Sequence, residues 1–455
     1  MALELLRPVS LQSMRCRFRN SAWRLAVALA VALAPRAGAT AEPAPLPAVL
    51  GLDQALSLFR TQGLDLLIAD AALEAAQGDL ASAGAVPNPS LTATLGKSFV
   101  CTDGCSFIPP PAFTVGLGDQ NAIEDSLSGK RGLRLEVARA ALQVARLQRV
   151  DAERTGTALV KLQFIQVLIG QEGLVTAQDT ARDLARLREL TAVRYRSGAV
   201  SEADLARVET DALEAEQAVS TARLQLRAAQ LGLAFLLGIR SQVPEFRVEA
   251  SELLVASVPP TLTEASPASL LAQAFETRPD LGAARAQMAR ADASVRLAQR
   301  LVFPDIALNV NYAQQGTSPA AVTPPTVTLG LTFTLPLLYQ QQGEIRRAQA
   351  DARTQELGAA KARAQVVSDV EGAYAGFQVA LERERRMEGE AGLLARARRA
   401  RDLVGVQYQK GAASLLELLD AQRTFRTVAF EARSNLADYW SSVFRLEQAV
   451  GRTLL

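Results

Sequence analysis

Two stretches of the chain, 130 to 193 and 343 to 407, contain no proline and are rich in Ala, Arg, Leu and Glu. As helix, at 1.5 Å per residue, each would extend about 95 Å, too long to fold back into a compact globule. Each runs into a glycine turn, "RSGAVS" (196 to 201) or "KGAAS" (410 to 414), whose serine, Ser201 or Ser414, is placed to N-cap a returning helix. The sequence therefore predicts two long helical hairpins. Their many small residues, as in "RAALQVARLQRVDAER", allow close helix packing.

The two hairpins belong to an internal duplication. Residues 64 to 89 align without gaps on 279 to 304, matching Asp65 with Asp280, Leu66 with Leu281 and Pro89 with Pro304. Residues 194 to 238 align in the same way on 407 to 451, matching Tyr195 with Tyr408, Gly198 with Gly411, Ser201 with Ser414 and Gly238 with Gly451. Identities are few, but order and register are shared, and the period far exceeds that of a solenoid repeat. Each half reads as helix, strand, strand, long helix, turn, helix. The division is 1–39 leader, 40–238 first repeat, 239–266 an irregular Pro/Val-rich connector, and 267–455 second repeat.

The strands alternate with period two. In "TVTLGLTFTLP" (326 to 336), Val327, Leu329, Leu331, Phe333 and Leu335 share one face, and Thr326, Thr328, Gly330, Thr332 and Thr334 the other. "SLTATLG", "FTVGLG" and "PDIALNVNY" repeat the pattern at 90, 113 and 304. A half-buried soluble strand alternates the same way. Two such hairpins, each following a helix and with small or uncharged side chains on the second face, favour a transmembrane β-barrel once the N-terminal leader directs the chain to secretion. Four strands are too few to close one, so several copies must pool theirs.

Arg15, Arg17, Arg19 and Arg24 precede the apolar run "LAVALAVALA" (25 to 34), which small residues follow. This is the pattern of a secretory signal peptide, cleaved after Ala39 or, as a second choice, Ala41. The run falls short of the ~20 residues a bilayer core requires. Removing residues 1 to 39 takes a net +5 from the formal +2, leaving the mature chain at −3. Cys16 leaves with the leader. Cys101 and Cys105, in "CTDGC", are expected to form a disulfide in an oxidising compartment; a C-x3-C metal site is the alternative, with no His in the chain to complete it. The balanced charges and 5% aromatic residues give no basic face for nucleic acid. Without His, no nucleophile, base and acid constellation can be assembled, and "SGKRG" (128 to 132) lacks phosphate-loop spacing.

The motifs "VPNPSL" (86 to 91), "SGKRGLRLEVARAAL" (128 to 142), "RYRSGAVSEADLARVETD" (194 to 211), "LAFLLG" (233 to 238), "RPDLGAARAQ" (278 to 287), "PLLYQQQGEIRRAQA" (336 to 350) and "YQKGAASLLELLDAQR" (408 to 423) occur in this order over nearly all of the mature chain. Together they resemble the TolC-type outer-membrane efflux proteins. "GLTFTLPLLYQQQGEI" and the two Y-x-x-G turns are most similar to the heavy-metal efflux branch of CzcC- and CusC-like members. The resemblance implies a mainly α protein with a small β part. It implies a homotrimer with a twelve-stranded outer-membrane barrel, four strands per chain, continuous with a long periplasmic α-helical barrel.

It further implies a periplasmic adaptor and an inner-membrane pump of the resistance-nodulation-division type as partners, with outer-membrane lipid around the barrel and no cofactor. The function expected is a passive gated export duct for small toxic solutes, with heavy-metal cations among the candidates. A type I protein-secretion conduit of the same fold is one alternative. A periplasmic coiled-coil adaptor, which would leave the strands unexplained, is another.

Carried over from the family on the hairpin glycines, the acids that narrow the pore and favour cations fall on Asp204, Glu417 and Asp420. Solvated helix-surface acids are the plain alternative. The family's tip clamp uses a tyrosine and an arginine. Tyr408 fits the tyrosine, whereas Ala413 stands at the arginine position, leaving Arg194, Arg196 or Lys410 as substitutes. Tyr195 and Tyr408 could equally pack at the hairpin ends. Adaptor docking falls on the turns themselves, at Ser197, Gly198 and Ala199 and at Gly411, Ala412 and Ala413. No resident metal site is expected.

Overall fold

The structure, a computed structural model, describes residues 46–97, 111–263, 265–315, 323–333, 335–387, 389 and 392–454. The leader and the Cys101–Cys105 pair lie outside the described residues. The chain is mostly helical with a small sheet part. Its elements begin with β1 (Val49–Gly51), α1 (Leu52–Gln62), α2 (Leu64–Gly84), β2 (Ser90–Gly96), β3 (Ala112–Gly118) and α3 (Ala122–Leu127). The first hairpin is α4 (Lys130–Arg196) and α5 (Glu202–Leu236). After β4 (Arg247–Glu249) and α6 (Pro260–Thr263) come α7 (Pro267–Thr277), α8 (Pro279–Arg300), β5 (Ile306–Gln315) and β6 (Thr323–Phe333). The second hairpin is α9 (Gln342–Met387), α10 (Leu393–Gln409) and α11 (Leu415–Val450).

The first long helix is unbroken over its 67 residues, about 100 Å. The second is not: the expected continuous helix from 343 to 407 stops at Met387 and restarts at Leu393. Gly389 adopts φ +84°, which right-handed helix does not allow, and the amide of Gly392 turns back to the Gly389 carbonyl at 3.0 Å. Lack of proline did not guarantee continuity, because two glycines three residues apart suffice to unwind a turn.

The connector is less irregular than expected. Its β4 pairs in parallel with β1, Leu50 opposite Val248, and a 3-10 turn (Ser251–Leu254) and α6 follow. This patch rests on the main core, where Phe59, Phe164, Phe377, Tyr439 and Phe444 are almost completely buried. Each such side chain contributes about 1.5–3 kcal/mol by leaving water. The Tyr439 ring lies 5.3 Å from Trp440 edge-on, and its hydroxyl donates to the Ser257 carbonyl at 2.8 Å. Arg278, buried at the start of α8, ties three elements. It binds Asp280 through two nitrogens, Asp369 of α9 at 2.9 Å and the Ala449 carbonyl of α11 at 3.1 Å.

The sheet has the order β2-β3-β5-β6, antiparallel throughout. Leu91 faces Leu117, Val310 faces Leu329 and Leu308 faces Leu331 across the strands. Leu308 is half-buried, but most of these apolar side chains are exposed, Leu91 by 73%, Leu329 by 70% and Leu331 by 65%. β6 begins three residues earlier than Thr326 would suggest, at Thr323 and through Pro324 and Pro325, which its position at a sheet edge tolerates.

Candidate functional site at the hairpin tips

Both hairpins turn by the same local device. At the end of α4, Gly198 at φ +76° donates to the Tyr195 carbonyl (2.9 Å) and Ala199 to that of Arg194 (2.8 Å). At the end of α10, Gly411 at φ +74° donates to Tyr408 (3.1 Å) and Ala412 to Gln407 (2.8 Å). This paired closure of the last carbonyls requires a left-handed residue, which explains the glycine in each turn. The next helix then starts on a capping box. The Ser201 hydroxyl accepts from the amide of Asp204 (3.1 Å) while the Asp204 carboxylate accepts from the Ser201 amide and hydroxyl (3.3 and 2.8 Å). Ser414 and Glu417 repeat it, with the carboxylate at 2.7 Å from the Ser414 amide and 3.0 Å from its hydroxyl.

Of the three acids picked out by the sequence, two therefore hold the starts of their own helices. Asp420 is exposed and accepts no hydrogen bond among the described residues. The Ser414 amide, and then its hydroxyl, hold the Glu417 carboxyl below the usual glutamate range. The folded value being depressed, this cap is intact above the unfolded value and is lost only as pH falls through the lower folded one. On acidification, protection of the Ser414 amide, which donates to the Glu417 carboxylate, relative to the Glu417→Gln variant is expected to persist through about pH 4.3, the ordinary glutamate value. It should collapse only below that. Hydrogen exchange at stepped pH checks it, and collapse above pH 4.3 would contradict the assignment.

The two tips meet. Leu184 and Leu187 of α4 and Val208, Ala212 and Ala215 of α5 bury against Leu415, Leu418 and Leu419 of α11, with Tyr408 and Val404 packed alongside. The Arg194 guanidinium stacks over the Tyr408 ring at 4.8 Å, linking the end of α4 to the end of α10. Arg196 instead folds onto its own helix, reaching the Ala192 carbonyl at 3.4 Å, and Tyr195 and Lys410 are exposed. Ser197 donates its hydroxyl to the Arg194 carbonyl (2.9 Å), and Ala413 is half-buried.

The sequence reading missed one cross-link. Asp211 of α5, 1% exposed, receives Arg423 of α11 at 2.7 Å, in the third turn of each helix from the tip. The only available signal was an aspartate among the alanines of a buried helix face, without an indication of which helix would meet it.

A family profile described as "Outer membrane efflux protein" matches residues 55–239 and 270–452. The chain is 28% identical over 417 residues to the pyoverdine export outer membrane protein OpmQ of Pseudomonas putida, covering 88% of this chain and 85% of that one. It is 25% identical over 405 residues to the cobalt-zinc-cadmium resistance protein CzcC of Cupriavidus metallidurans, covering 89% and 90%. Among solved structures, CusC superposes with a TM-score of 0.72 at 17% identity, over 88% of this chain and 92% of that one. The open-state MtrE channel of Neisseria gonorrhoeae gives 0.70 at 19% identity, over 89% of each.

Proposed function

The chain belongs to the outer membrane efflux protein family, a channel protein and not an enzyme, and from that premise we propose that three copies share one export duct. The observation that carries this reading is the four-stranded sheet with β2 and β6 as free edges and an exposed apolar face. Such a sheet cannot close alone, and three of them supply twelve strands to a closed barrel. The apolar face turns to outer-membrane lipid, the Thr, Asn and Gly face lines water, and the helical hairpins continue the duct into the periplasm. The two repeats, 40–238 and 267–455, joined by the 239–266 connector, each contribute one strand pair and one hairpin.

The duct is passive and takes its energy from an inner-membrane pump of the resistance-nodulation-division type. A periplasmic adaptor docks on the turns at Ser197, Gly198, Ala199, Gly411, Ala412 and Ala413, whose backbone is rigidly closed and largely exposed. At the tip, Arg194 on Tyr408 acts as the clamp that Ala413 cannot provide. Asp420 supplies the ring of carboxylates that favours cations, since Asp204 and Glu417 are engaged as caps. Two relatives, one for pyoverdine export and one for cobalt, zinc and cadmium resistance, support small toxic solutes as cargo, with heavy-metal cations among the candidates.

Conductance in planar bilayers tests the tip assignment. Loss of a cation–π contact costs about 0.5–1 kcal/mol. Three copies of Arg194→Ala then shift closed to open by about 2 kcal/mol, roughly thirtyfold in open probability. Asp420→Asn should leave open probability unchanged and lower the cation preference. Wild-type gating in Arg194→Ala, or unchanged selectivity in Asp420→Asn, would overturn the corresponding role.

A further inference from the structure

Where the sheet passes into the helices, a groove of about 520 Å³ lies between α3, the end of α8, the start of β5 and the end of β6. Its apolar wall is Ile123, Leu127, Phe303, Ile306, Leu308 and Leu331. Leu127 is 82% exposed, Phe303 54% and Ile123 51%. An open apolar surface of this kind is poorly suited to water. It is continuous with the sheet's apolar face, because Leu308 lies opposite Leu331 and Ile306 opposite Phe333 in the strand register.

At the polar end of the groove the free hydrogen-bond donors belong to Arg300. Arg300 lies over Phe303, its guanidinium carbon 4.3 Å from the ring centre, and its Nε donates to the Ser128 carbonyl at 2.6 Å. Its two terminal amino groups have no hydrogen-bond or ion-pair partner among the described residues. The neighbouring acids face other groups, except that one Glu124 oxygen is buried without a hydrogen-bond partner. Glu124 pairs with Lys130 at 3.3 Å, and Asp119 accepts from the amides of Asn121 (3.2 Å), Ile123 (3.4 Å) and Leu308 (2.8 Å).

We propose that this groove holds a glycerophospholipid of the periplasmic leaflet, its acyl chain along Ile123, Leu127, Phe303 and Leu331 and its phosphate on the terminal amino groups of Arg300. A guanidinium with an apolar stem and two free donors, placed where the strands give way to periplasmic helices, matches a phosphate at the edge of a bilayer. The apolar wall then meets hydrocarbon instead of water. This rests on the apolar sheet face turning to lipid.

The test is native mass spectrometry of the full-length complex in mild detergent with added phosphatidylethanolamine. Diacylglycerol of the same chains and inorganic phosphate serve as separate probes. One phospholipid per chain is expected to survive activation that strips the others, and neither control probe should. Loss of a charge-assisted contact corresponds to about tenfold lower retention in Arg300→Gln. Leu127→Ser, at an exposed position that does not threaten folding, should lower retention similarly. Equal retention in the wild type and both variants would show annular lipid only and overturn the site, as would binding of inorganic phosphate alone. Absence of any bound phospholipid would instead remove the lipid-facing reading of the sheet, and the groove proposal with it.

Discussion

Leu329→Arg is expected to abolish recovery of the assembled protein from the outer membrane, whereas Thr328→Arg, one residue away, is expected to leave it nearly intact. Leu329 lies mid-strand on β6, 70% exposed and opposite Val310, on the face assigned to lipid. Thr328 lies opposite Asn311 on the other face. An arginine facing hydrocarbon at mid-depth costs about 2–4 kcal/mol per strand, and one facing the water-filled lumen costs little. Three copies in one barrel would multiply the first figure to about 6–12 kcal/mol, comparable to the whole stability of an ordinary domain. Fractionation and heat-resistance of the oligomer on gels read the outcome. Equal loss in both variants, or a greater loss in Thr328→Arg, would mean that the faces are assigned the wrong way round or that the sheet is not in a membrane.

The second large effect is in the helical core. Lys161 of α4 and Glu447 of α11 form an ion pair at 2.5 Å, with side chains 9% and 7% exposed. The other oxygen of Glu447 accepts the Leu454 amide at 2.9 Å, and the Lys161 ammonium lies 5.1 Å from the Phe444 ring centre. Glu447→Ala leaves a buried ammonium without its counter-charge, at a cost of about 3–5 kcal/mol. Replacing both partners, as Lys161→Met with Glu447→Leu, removes both desolvation costs and should return stability to near wild type. Thermal unfolding in detergent of the two single variants and the double variant measures the coupling. Simple addition of the two single losses in the double variant would contradict the pair's assignment as a desolvated unit.

Much of this architecture is legible in the sequence because its signals are periodic. The alternation in 326 to 336 fixes which side chains of β6 share a face, since a one-residue slip would reverse all of them. The turns at Gly198 and Gly411 were readable because a positive φ followed by a capping serine leaves a distinct residue pattern. That pattern carries a second signal. Ser201 with Asp204 and Ser414 with Glu417 have capping-box spacing, so the spacing itself gives their carboxylates a local use at the helix starts.

Other features could not be read. Three-residue strands such as β1 and β4 are too short for a period to show. The break at Gly389 falls among residues that otherwise favour helix. The stack of Arg194 on Tyr408 and the pair of Asp211 with Arg423 depend on which helix faces meet, which is decided by packing between distant segments. The exposed Leu127 is conspicuous only once α3 is seen beside the base of β5.

The central claim is that three chains pool their strands in one membrane barrel. Its most direct test is fractionation of cells expressing the full-length protein, mild-detergent extraction, and the mass of the extracted complex. Recovery from the outer membrane at close to three times the mass of the mature chain is the predicted result; a soluble periplasmic monomer or dimer would contradict it.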